Sequence, residues 1–417
     1  MMNAKEPDVL LGPGFLGAWT RPVGLMETLK ADADPFAALA DMAARVPPGG
    51  VLAGYLGYEA AGWLEPGLDL PAPPAFEGRA MPGAWAGLFE GTEAASPPLE
   101  GKVGGAVAAP RVLPGPRVLP GEGAASYEAK VEAVRRAILA GELFQANLSR
   151  RLSAVWDAAP NPRALFARLT AATNASYAAM IALPPDAAPP DAAPGGAVLS
   201  ASPELFLDVA GDAVAAEPIK GTRPRGADAT ADAALAADLL ASSKDRAENV
   251  MIADLMRNDL SRVCRDGSMR EAAVCALRTL PRVHHLYSRI EARLRPGVSP
   301  FAALAACYPC GSITGAPKLS AMRTIAALEG EGRGPYCGTV FAATRDRAVF
   351  SVPIRTGVLT YGARGGARLD VRAGGGVTTL SDPAAEWAET RDKAYPFWAM
   401  TGHTMTGHTM TGMAGAP

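Results

Sequence analysis

A lysine within a stretch rich in glycine and proline is the first candidate for chemistry. Lys220 lies in Glu217–Gly226, which reads EPIKGTRPRG and follows a strand-like run from Glu204 to Val209. Proline and glycine at this density favour a shaped loop over a helix. Burial in such a loop would lower the pKa of Lys220 and let its amine act as a nucleophile. A solvated surface loop explains the same residues, so this stretch alone leaves both interpretations open.

Acidic residues at helical spacing are the second candidates. Glu386, Glu389 and Lys393 fall on one face of the last predicted helix, and Asp245 and Glu248 share a face of a helix in mid-chain. Mg2+ commonly takes one or two carboxylates, with water and substrate oxygens as its other ligands. If the two acidic pairs converge, they form a cation site; if they do not, each is a solvated helix stripe.

Three motifs rich in glycine or cysteine are weaker signals. Gly311–Lys318 reads GSITGAPK and resembles a phosphate loop, but its glycines are too close together and its lysine does not directly follow the second glycine. The run Gly374–Gly376 would let backbone amides approach a carboxylate. Cys307 and Cys310 form a CxxC pair without a second pair or a flanking histidine, which favours a structural role.

These residues must be positioned by strands that adjoin one another through short turns. Such a pattern favours an α+β fold with antiparallel sheets over a doubly wound parallel sheet. Helices are predicted from Ser126 as N-cap to Gly141, over 232–265, and after Asp382 and Pro383. Strands are predicted at 50–59, 143–150, 176–183, 197–209 and 281–294, with hairpin turns near Thr344–Arg347 and Gly362–Ala367.

Shifts in composition divide the chain. Residues 1–90 form a smaller N-terminal part, 91–125 an Ala/Gly/Pro-rich linker, 126–397 the main domain and 398–417 a low-complexity tail. A second Ala/Pro insert at 184–193 is predicted to be an extended hairpin loop. The tail repeats Thr-Gly-His-Thr-Met, whose histidines could bind metal, although a disordered tail is the simpler expectation.

Overall composition argues against several classes of partner. The 40 Lys and Arg against 42 Asp and Glu give a net charge of -2, and the arginines are spread out, which disfavours nucleic acid or an anionic membrane as the main partner. There is no run of about 18 strongly apolar residues and no signal-peptide pattern. Five cysteines in 417 residues do not indicate a disulfide framework. We expect a soluble, cytoplasmic protein.

Taken together, these motifs resemble those of the chorismate-utilising enzymes, which include component I of anthranilate synthase, component I of aminodeoxychorismate synthase, and the isochorismate and salicylate synthases. The resemblance implies a large sandwich of two antiparallel sheets with outer helices. Residues 126–397 would be its chorismate-binding catalytic domain and 1–90 the smaller N-terminal part. The matching segments are Ser202–Glu204, Pro218–Thr222, Glu248–Asn249, Arg257–Leu260, Gly311–Lys318, Ile354–Thr356 and Gly374–Lys393.

The resemblance implies a magnesium site. It assigns Glu248 and Glu389 as Mg2+ ligands, with Glu386 and Asp245 in supporting positions. The family often has glutamate where this chain has Asp245. The cation would bind the ring carboxylate of chorismate and stabilise charge as the 4-hydroxyl group leaves.

The resemblance also assigns groups around the substrate. The Gly376 amide and Lys393 would hold the ring carboxylate, while Tyr336 and Arg355 would clamp the enolpyruvyl carboxylate, a task suited to a planar bidentate donor. Cys310 stands where the family has a glycine. The other assigned positions are Glu204 as general acid/base, His285 beside the ring, and Gly221, Thr222 and Gly375 among the substrate contacts.

Two positions divide the family. Members that add water carry a lysine base in place of Gln145, and glutamine cannot deprotonate water. Anthranilate synthases typically have alanine in place of Lys220, whereas aminodeoxychorismate synthases have lysine. The resemblance therefore implies aminodeoxychorismate chemistry, in which the lysine attacks C2 of chorismate and ammonia enters at C4. Anthranilate synthase component I is the alternative.

The source of ammonia points to a partner. No cysteine lies in a nucleophile-elbow context with a paired histidine and acid, so we expect ammonia from a separate glutaminase subunit, component II, or from free ammonium. The product would be 4-amino-4-deoxychorismate, a precursor of 4-aminobenzoate and folate. A rival of another class is a non-catalytic scaffold that kept the fold, and chorismate binding without turnover would support it.

Overall fold

The computed structural model describes residues 7–29, 34–98, 115–173, 175–183, 195–281, 283–402, 404–406 and 409–411. The predicted hairpin loop at 184–193 and both tail histidines, His403 and His408, lie outside these residues. None of the helices in the described ranges is long and apolar enough to cross a membrane.

The strands pair only in antiparallel fashion within the described residues. This confirms the predicted α+β class. The strands are β1 (Asp8–Leu11), β2 (Thr20–Thr28), β3 (Val51–Leu56), β4 (Ala84–Ala94), β5 (Arg117–Val118), β6 (Gln145–Trp156), β7 (Tyr177–Leu183), β8 (Gly196–Ser202), β9 (Leu205–Ala210), β10 (Ala213–Glu217), β11 (Ile219–Pro224), β12 (Arg270–Thr279), β13 (Val283–Arg293), β14 (Gly315–Ala316), β15 (Thr339–Ala343), β16 (Arg347–Ser351), β17 (Thr356–Tyr361), β18 (Ala367–Val377), β19 (Thr404–Thr406) and β20 (Thr409–Thr411).

Helices lie between and outside the strands. Short 3-10 turns also occur at Tyr58–Ala60 and Gly311–Ile313. The helices are α1 (Pro13–Leu16), α2 (Pro35–Ala44), α3 (Ala61–Leu64), α4 (Ala124–Leu139), α5 (Pro162–Thr173), α6 (Ala229–Ala241), α7 (Ser243–Ser261), α8 (Pro300–Cys307), α9 (Lys318–Glu329), α10 (Pro383–Lys393) and α11 (Tyr395–Thr401).

The large sheet folds back on itself into two layers. One layer runs β5, β6, β18, β17, β8, β7, β1, and the other runs β2, β4, β3, β15, β16, β9, β10, β13, β12. A shared core packs Ile181 and Val198 of the first layer against Tyr55 and Val340 of the second. The predicted sandwich is therefore confirmed, and hydrogen bonds between β1 and β2 join its layers into one continuous sheet.

Outer helices cover both layers, as predicted. Helices α5 and α11 pack Phe166 and Phe397 onto the first layer. Helices α2, α7 and α8 pack Leu39, Met256 and Phe301 onto the second. Because each layer is covered on both sides, several strands, such as β3 and β8, are buried along their whole length.

The structure confirms some of the helix ends and turns predicted from the sequence and contradicts others. Asp382 caps α10 by accepting from the amide of Ala385, as predicted, and the two predicted hairpins form between β15 and β16 and between β17 and β18. The Ser126 prediction is wrong: α4 begins at Ala124, and the Ser126 hydroxyl donates to Glu122 instead of capping. The helix predicted over 232–265 is two helices, because Ser242 ends α6 and caps α7.

Residues of the predicted N-terminal part contribute to both layers. Strand β1 pairs with β7, and β3 pairs with β15. Of the predicted linker, residues 91–94 continue β4, β5 pairs with β6, and 99–114 lie outside the described residues. In the predicted tail, β19 and β20 pair with each other.

Candidate active site

Lys220 lies on a strand, which corrects the predicted loop. Strand β11 pairs with β13, and its register shifts between Ile219 and Thr222 where Gly221 has a φ of 88°. Glycine adopts this conformation at low cost and forms a bulge within the strand instead of ending it. Pro224 is tolerated because β11 is an edge strand, pairing only with β13 among the described strands.

The Lys220 amine faces several ionisable groups. Loss of hydration lowers the pKa of Lys220, and the positive charge of Lys393 adds to this, while the carboxylates of Glu248, Glu204 and Glu389 oppose it. The net direction is downward, so a larger fraction of this lysine is the neutral amine than for a lysine in water. A partly buried lysine with a lowered pKa is a better nucleophile, because the neutral amine is the form that attacks.

The glycine run on β18 forms the wall opposite Lys220. A Cβ on Gly376 would lie 2.0 Å from Gln145 Nε2 and 3.4 Å from Lys220 Nζ. A Cβ on Gly375 would lie 2.9 Å from Glu386 Oε2 and 3.4 Å from Glu389 Oε2. A side chain at either position would collide with these groups, so the glycines let them approach the strand closely. Strand β18 therefore brings together groups carried by β6, β11 and α10.

Carboxylates from α7 and α10 converge on this space, which is the first of the two alternatives that the acidic spacing left open. Burial raises the pKa of Glu248, and the like charges of Asp245 and Glu389 act in the same direction, while Lys220 opposes them. Glu386 accepts a 2.7 Å hydrogen bond from Ser381 on Oε1, but its buried Oε2 has no partner among the described residues.

The other charged residues around this space, Glu389, Lys393 and Asp245, each have an ion-pair partner. Glu389 pairs with Lys393 at 2.6 Å, and Lys393 also donates to the Gly374 carbonyl at 2.9 Å. Asp245 pairs with Arg223 at 3.1 Å. Among the described residues, no three His, Cys, Asp or Glu side chains form a ready-made metal cluster. The donor set nevertheless fits Mg2+, which accepts a few hard carboxylates and completes its coordination with water and substrate oxygens.

Glu204 and His285 add two proton-transfer groups. Glu204 is buried, burial raises the pKa of its carboxyl, and its Oε1 has no hydrogen-bond partner in the described part of the chain. His285 Nδ1 lies 2.9 Å from the Thr222 hydroxyl, while its Nε2 is buried without a partner in that same part. Burial, aided by the charge of Arg355, lowers the pKa of His285 to about 4, so the ring is neutral near pH 7.

The two groups predicted to clamp one carboxylate are not in contact. Arg355 has a φ of 51° and its charge acts on His285, which places it on the substrate side. Tyr336 packs beside Arg333, whose guanidinium carbon lies 5.8 Å from its ring centre. No hydrogen bond or ring contact between Tyr336 and Arg355 occurs in the described structure, so their joint action stays a prediction.

The sequence reasoning missed three features of this region. Burial raises the pKa of both Glu204 and Glu248, and the Ser312 side chain opposes this at Glu204 while the charge of Lys244 opposes it at Glu248. Ser312 lies within the Gly311–Lys318 motif, and Lys244 precedes Glu248 by one helical turn, so the sequence contained a signal for each residue.

The third missed feature is a fully buried ion pair behind the site. Glu329 and Arg333 lie 2.7 Å apart, and each side chain is 1% exposed. Arg333 also donates to the carbonyls of Asn147 at 2.6 Å and Ile313 at 3.1 Å, while Glu329 accepts from the amide and hydroxyl of Ser149 at 2.8 Å. The pair thereby ties β6, which carries Gln145, to the segment that carries Ser312.

Comparison with known proteins identifies the family. The model of the chorismate binding enzymes matches residues 108–399, which include every element of the site described above. The chain belongs to the chorismate-binding enzyme family. Family membership thus agrees with the resemblance seen in the motifs.

The curated relatives of this chorismate-binding enzyme are named either as anthranilate synthases or as aminodeoxychorismate synthases. It is 41% identical to anthranilate synthase component 1 1 of Haloarcula marismortui over 269 residues, 64% of this chain and 52% of the relative. It is 38% identical to aminodeoxychorismate synthase component 1 of Salmonella typhimurium over 268 residues, 64% of this chain and 55% of the relative. The matched regions thus span about half the length of these curated relatives.

A solved structure supports the fold over nearly the whole chain. Anthranilate synthase component I from Streptococcus pneumoniae superposes with a TM-score of 0.69 at 25% identity, covering 94% of this chain and 90% of that one. The chorismate-binding enzyme therefore shares its architecture, including the N-terminal strands that precede the residues matched by the family model.

Proposed function

We propose that this chain is an aminodeoxychorismate synthase component I, which converts chorismate and ammonia to 4-amino-4-deoxychorismate for 4-aminobenzoate and folate synthesis. The observation that carries the proposal is Lys220, whose pKa is lowered by loss of hydration at the centre of the convergent carboxylates. A lysine at this position distinguishes the aminodeoxychorismate synthases in the resemblance. Relatives with that name at 38% identity support it.

Lys220 would act by covalent catalysis. Its neutral amine forms a bond to C2 of chorismate, the ring double bonds shift, and the C4–oxygen bond breaks. Glu204 supplies the proton with which the 4-hydroxyl group leaves as water. Ammonia then forms a bond to C4 as the bond between Lys220 Nζ and C2 breaks. The raised pKa of Glu204 suits it to carry that proton near neutral pH.

Other residues would orient the substrate. The Gly376 amide and Lys393 would bind the ring carboxylate, and Arg355 and Tyr336 the enolpyruvyl carboxylate. His285 is held by Thr222 with its Nε2 unpartnered among the described residues, and as a neutral ring it would contact the substrate without competing for the carboxylates.

Glu248 and Glu389 would hold Mg2+, with Glu386 and Asp245 as supporting carboxylates. Mg2+ would supply positive charge to the ring carboxylate as the 4-hydroxyl group leaves. Two observations favour a cation here: Glu386 Oε2 has no partner in the described part of the chain, and Glu248 and Glu389 repel each other.

Replacing Glu248 with glutamine is expected to lower kcat/KM by about 100-fold, because the remaining carboxylates hold the cation weakly. Chelation of Mg2+ should likewise abolish wild-type activity, and added Mg2+ should restore it. Glu271→Gln is the matched control, since Glu271 pairs with Arg257 on the surface. Equal Mg2+ dependence of the Glu248→Gln variant and the wild type would argue against these ligands.

Ammonia would come from a separate glutaminase, component II. The support is the name of the relatives, several of which are the first component of a synthase. Free ammonium would replace this partner in an assay of the chain alone.

The product identifies the function. The purified chain is incubated with chorismate, Mg2+ and ammonium, and the product is identified by mass and chromatography. A product that yields 4-aminobenzoate when an aminodeoxychorismate lyase is added supports the proposal. Anthranilate with pyruvate would show the alternative, anthranilate synthase component I, which relatives at 41% identity favour. Chorismate binding without formation of any product would instead indicate a non-catalytic scaffold that kept the fold.

A further inference from the structure

Helix α7 packs onto the second layer through a buried stripe that begins with a polar residue. The stripe has the three- and four-residue spacing of one helix face and comprises Asn249, Ile252, Ala253, Met256 and Leu260. Apolar contacts are non-directional, so they do not by themselves fix where a helix lies along its axis. At the far end of α7, Asp259 pairs with Lys318 at 2.6 Å. Asn249 is therefore the buried polar anchor of α7 at the end nearer the site.

The Asn249 amide joins α7 to β13. Its Nδ2 donates to the Leu286 carbonyl at 3.3 Å, and its Oδ1 accepts from the Ser288 hydroxyl at 2.5 Å. Because a backbone carbonyl can only accept, the amide nitrogen must face Leu286 and the amide oxygen must face Ser288. The Ser288 hydroxyl oxygen accepts from the backbone amide of Cys275 at 3.1 Å, which leaves the hydroxyl proton for Asn249. The direction of each of these hydrogen bonds is thus set by its partners.

The pair of Asn249 and Ser288 connects the helix that carries Glu248 with the strand that carries Lys220. Glu248 directly precedes Asn249 on α7. The Ser288 backbone amide donates to the Pro218 carbonyl at 3.1 Å, two residues before Lys220 in the chain. Sliding of α7 along β13 would therefore change the separation of Lys220 and Glu248, although neither residue would itself be altered.

Helix α7 also lies directly against β11 beside Lys220. A Cβ on Gly221 would lie 2.9 Å from the Asp245 Cβ, so the strand and the first turn of the helix are in close contact. Asp245 precedes Glu248 by one helical turn. Because the two elements are this close, even a small shift of α7 would change how Glu248 faces the space next to Lys220.

We propose that Asn249 and Ser288 are positioning residues that fix the separation between the Lys220 amine and the Glu248 carboxylate that would hold Mg2+. The inference rests on the roles of Lys220 and Glu248 in the proposed function. A single buried asparagine fixes the register of packed helices in coiled coils in the same way, at a cost in stability. Here the buried asparagine would register a helix against a sheet.

The test compares variants that remove the hydrogen bonds with one that removes only packing next to them. Asn249→Ala removes both bonds to β13, and Ser288→Ala removes one and leaves the bond to Leu286. We expect each to lower kcat by about 10- to 100-fold, the cost of misplacing reacting groups by about 1 Å. Cys275→Ala is the matched control, because its thiol is a weak donor 3.6 Å from Asn249 Oδ1 and its backbone amide is retained. This control should leave kcat close to that of the wild type.

Binding of Mg2+ separates positioning from a purely structural role. Calorimetric titration with Mg2+ in the presence of chorismate measures affinity without turnover when every variant also carries Lys220→Ala. We expect Asn249→Ala and Ser288→Ala to weaken Mg2+ binding by about 10-fold, within the loss typical of groups that orient a metal ligand. With Lys220 intact, formation of its chorismate adduct, followed by mass spectrometry, should be slower in both variants even at saturating Mg2+. Thermal unfolding of each variant reports on the fold.

Two results would overturn the proposal. One is a lowered melting temperature of Asn249→Ala and Ser288→Ala with unchanged kcat and Mg2+ affinity, which would make the pair purely structural. The other is an equal loss of Mg2+ affinity in Cys275→Ala, which would assign the effect to packing. If Asn249→Ala does not fold, Ser288→Ala decides the question. The identity of the wild-type product tests the proposed function separately: anthranilate would overturn that function, whereas the Mg2+ titrations would still report whether the pair positions Glu248.

Discussion

Lys220→Ala is expected to lose most formation of 4-amino-4-deoxychorismate, by roughly 1,000-fold or more, a loss typical of removing a catalytic nucleophile. The amine that forms the bond to C2 is then gone. Lys393 cannot replace it because it pairs with Glu389 and the Gly374 carbonyl. Binding of chorismate with Mg2+, measured by calorimetry, should persist because the groups that bind its carboxylates remain.

Two further measurements make this prediction specific. Incubation of the wild type with chorismate and Mg2+ but without ammonium should leave an adduct on Lys220 that mass spectrometry detects. Activity should rise with pH as Lys220 deprotonates, over a range below its usual pKa of 10.5. Lys130→Ala is the control, since Lys130 lies on α4 and pairs with Glu122 instead of facing the site. Unchanged turnover in Lys220→Ala would rule out covalent catalysis.

Replacing Glu329 with leucine is expected to lower the free energy of unfolding by about 3–5 kcal/mol, because Arg333 is left buried without its carboxylate partner. Replacing Arg333 with methionine should cost less, because Arg372 still pairs with Glu329 at 3.1 Å. The effect should appear in urea denaturation of Arg333→Met or Glu329→Leu. Replacing both residues together should cost less than the sum of the single changes. The exposed pair of Arg45 and Glu27 is the control, and its loss should change the free energy of unfolding little because water screens both charges.

Acid should weaken this pair in a defined direction. Burial alone would raise the pKa of Glu329, but Arg333 and Arg372 outweigh it and hold that pKa below 4.5. The stabilisation is therefore present above the unfolded pKa and is lost as pH falls through the lower folded value. If the single variants are as stable as the wild type at neutral pH, the pair does not hold the fold together.

Helical spacing predicted which acidic residues share a face, but not which faces meet. Asp245 with Glu248, and Glu386 with Glu389, were found from their spacing alone. That α7 and α10 bring them to one space depends on tertiary pairing, in which β18 pairs with the distant β6 and β11 pairs with β13. The family resemblance supplied what the periodicity could not.

The failures have physical causes in tertiary structure. Glycine and proline around Lys220 predicted a loop, yet pairing with β13 overrides that preference and turns Gly221 into a bulge. Glu329 and Arg333 look in sequence like an ordinary surface pair one helical turn apart. Only the packing of β6, β18 and the N-terminal residue Tyr58 around Arg333 makes them part of the core.

The continuous sheet has a consequence for synthesis on the ribosome. Strands β1 and β3 emerge first, but their partners β7 and β15 are made later, and β6 must wait for β18 near the end of the described chain. Strands β1 and β3 can pair early with β2 and β4, but their other edges stay open until the later partners are made, and such long-range pairing slows folding. Each layer is completed only late in synthesis, the first when β18 is released, so we expect the nascent chain to expose unpaired strand edges until then.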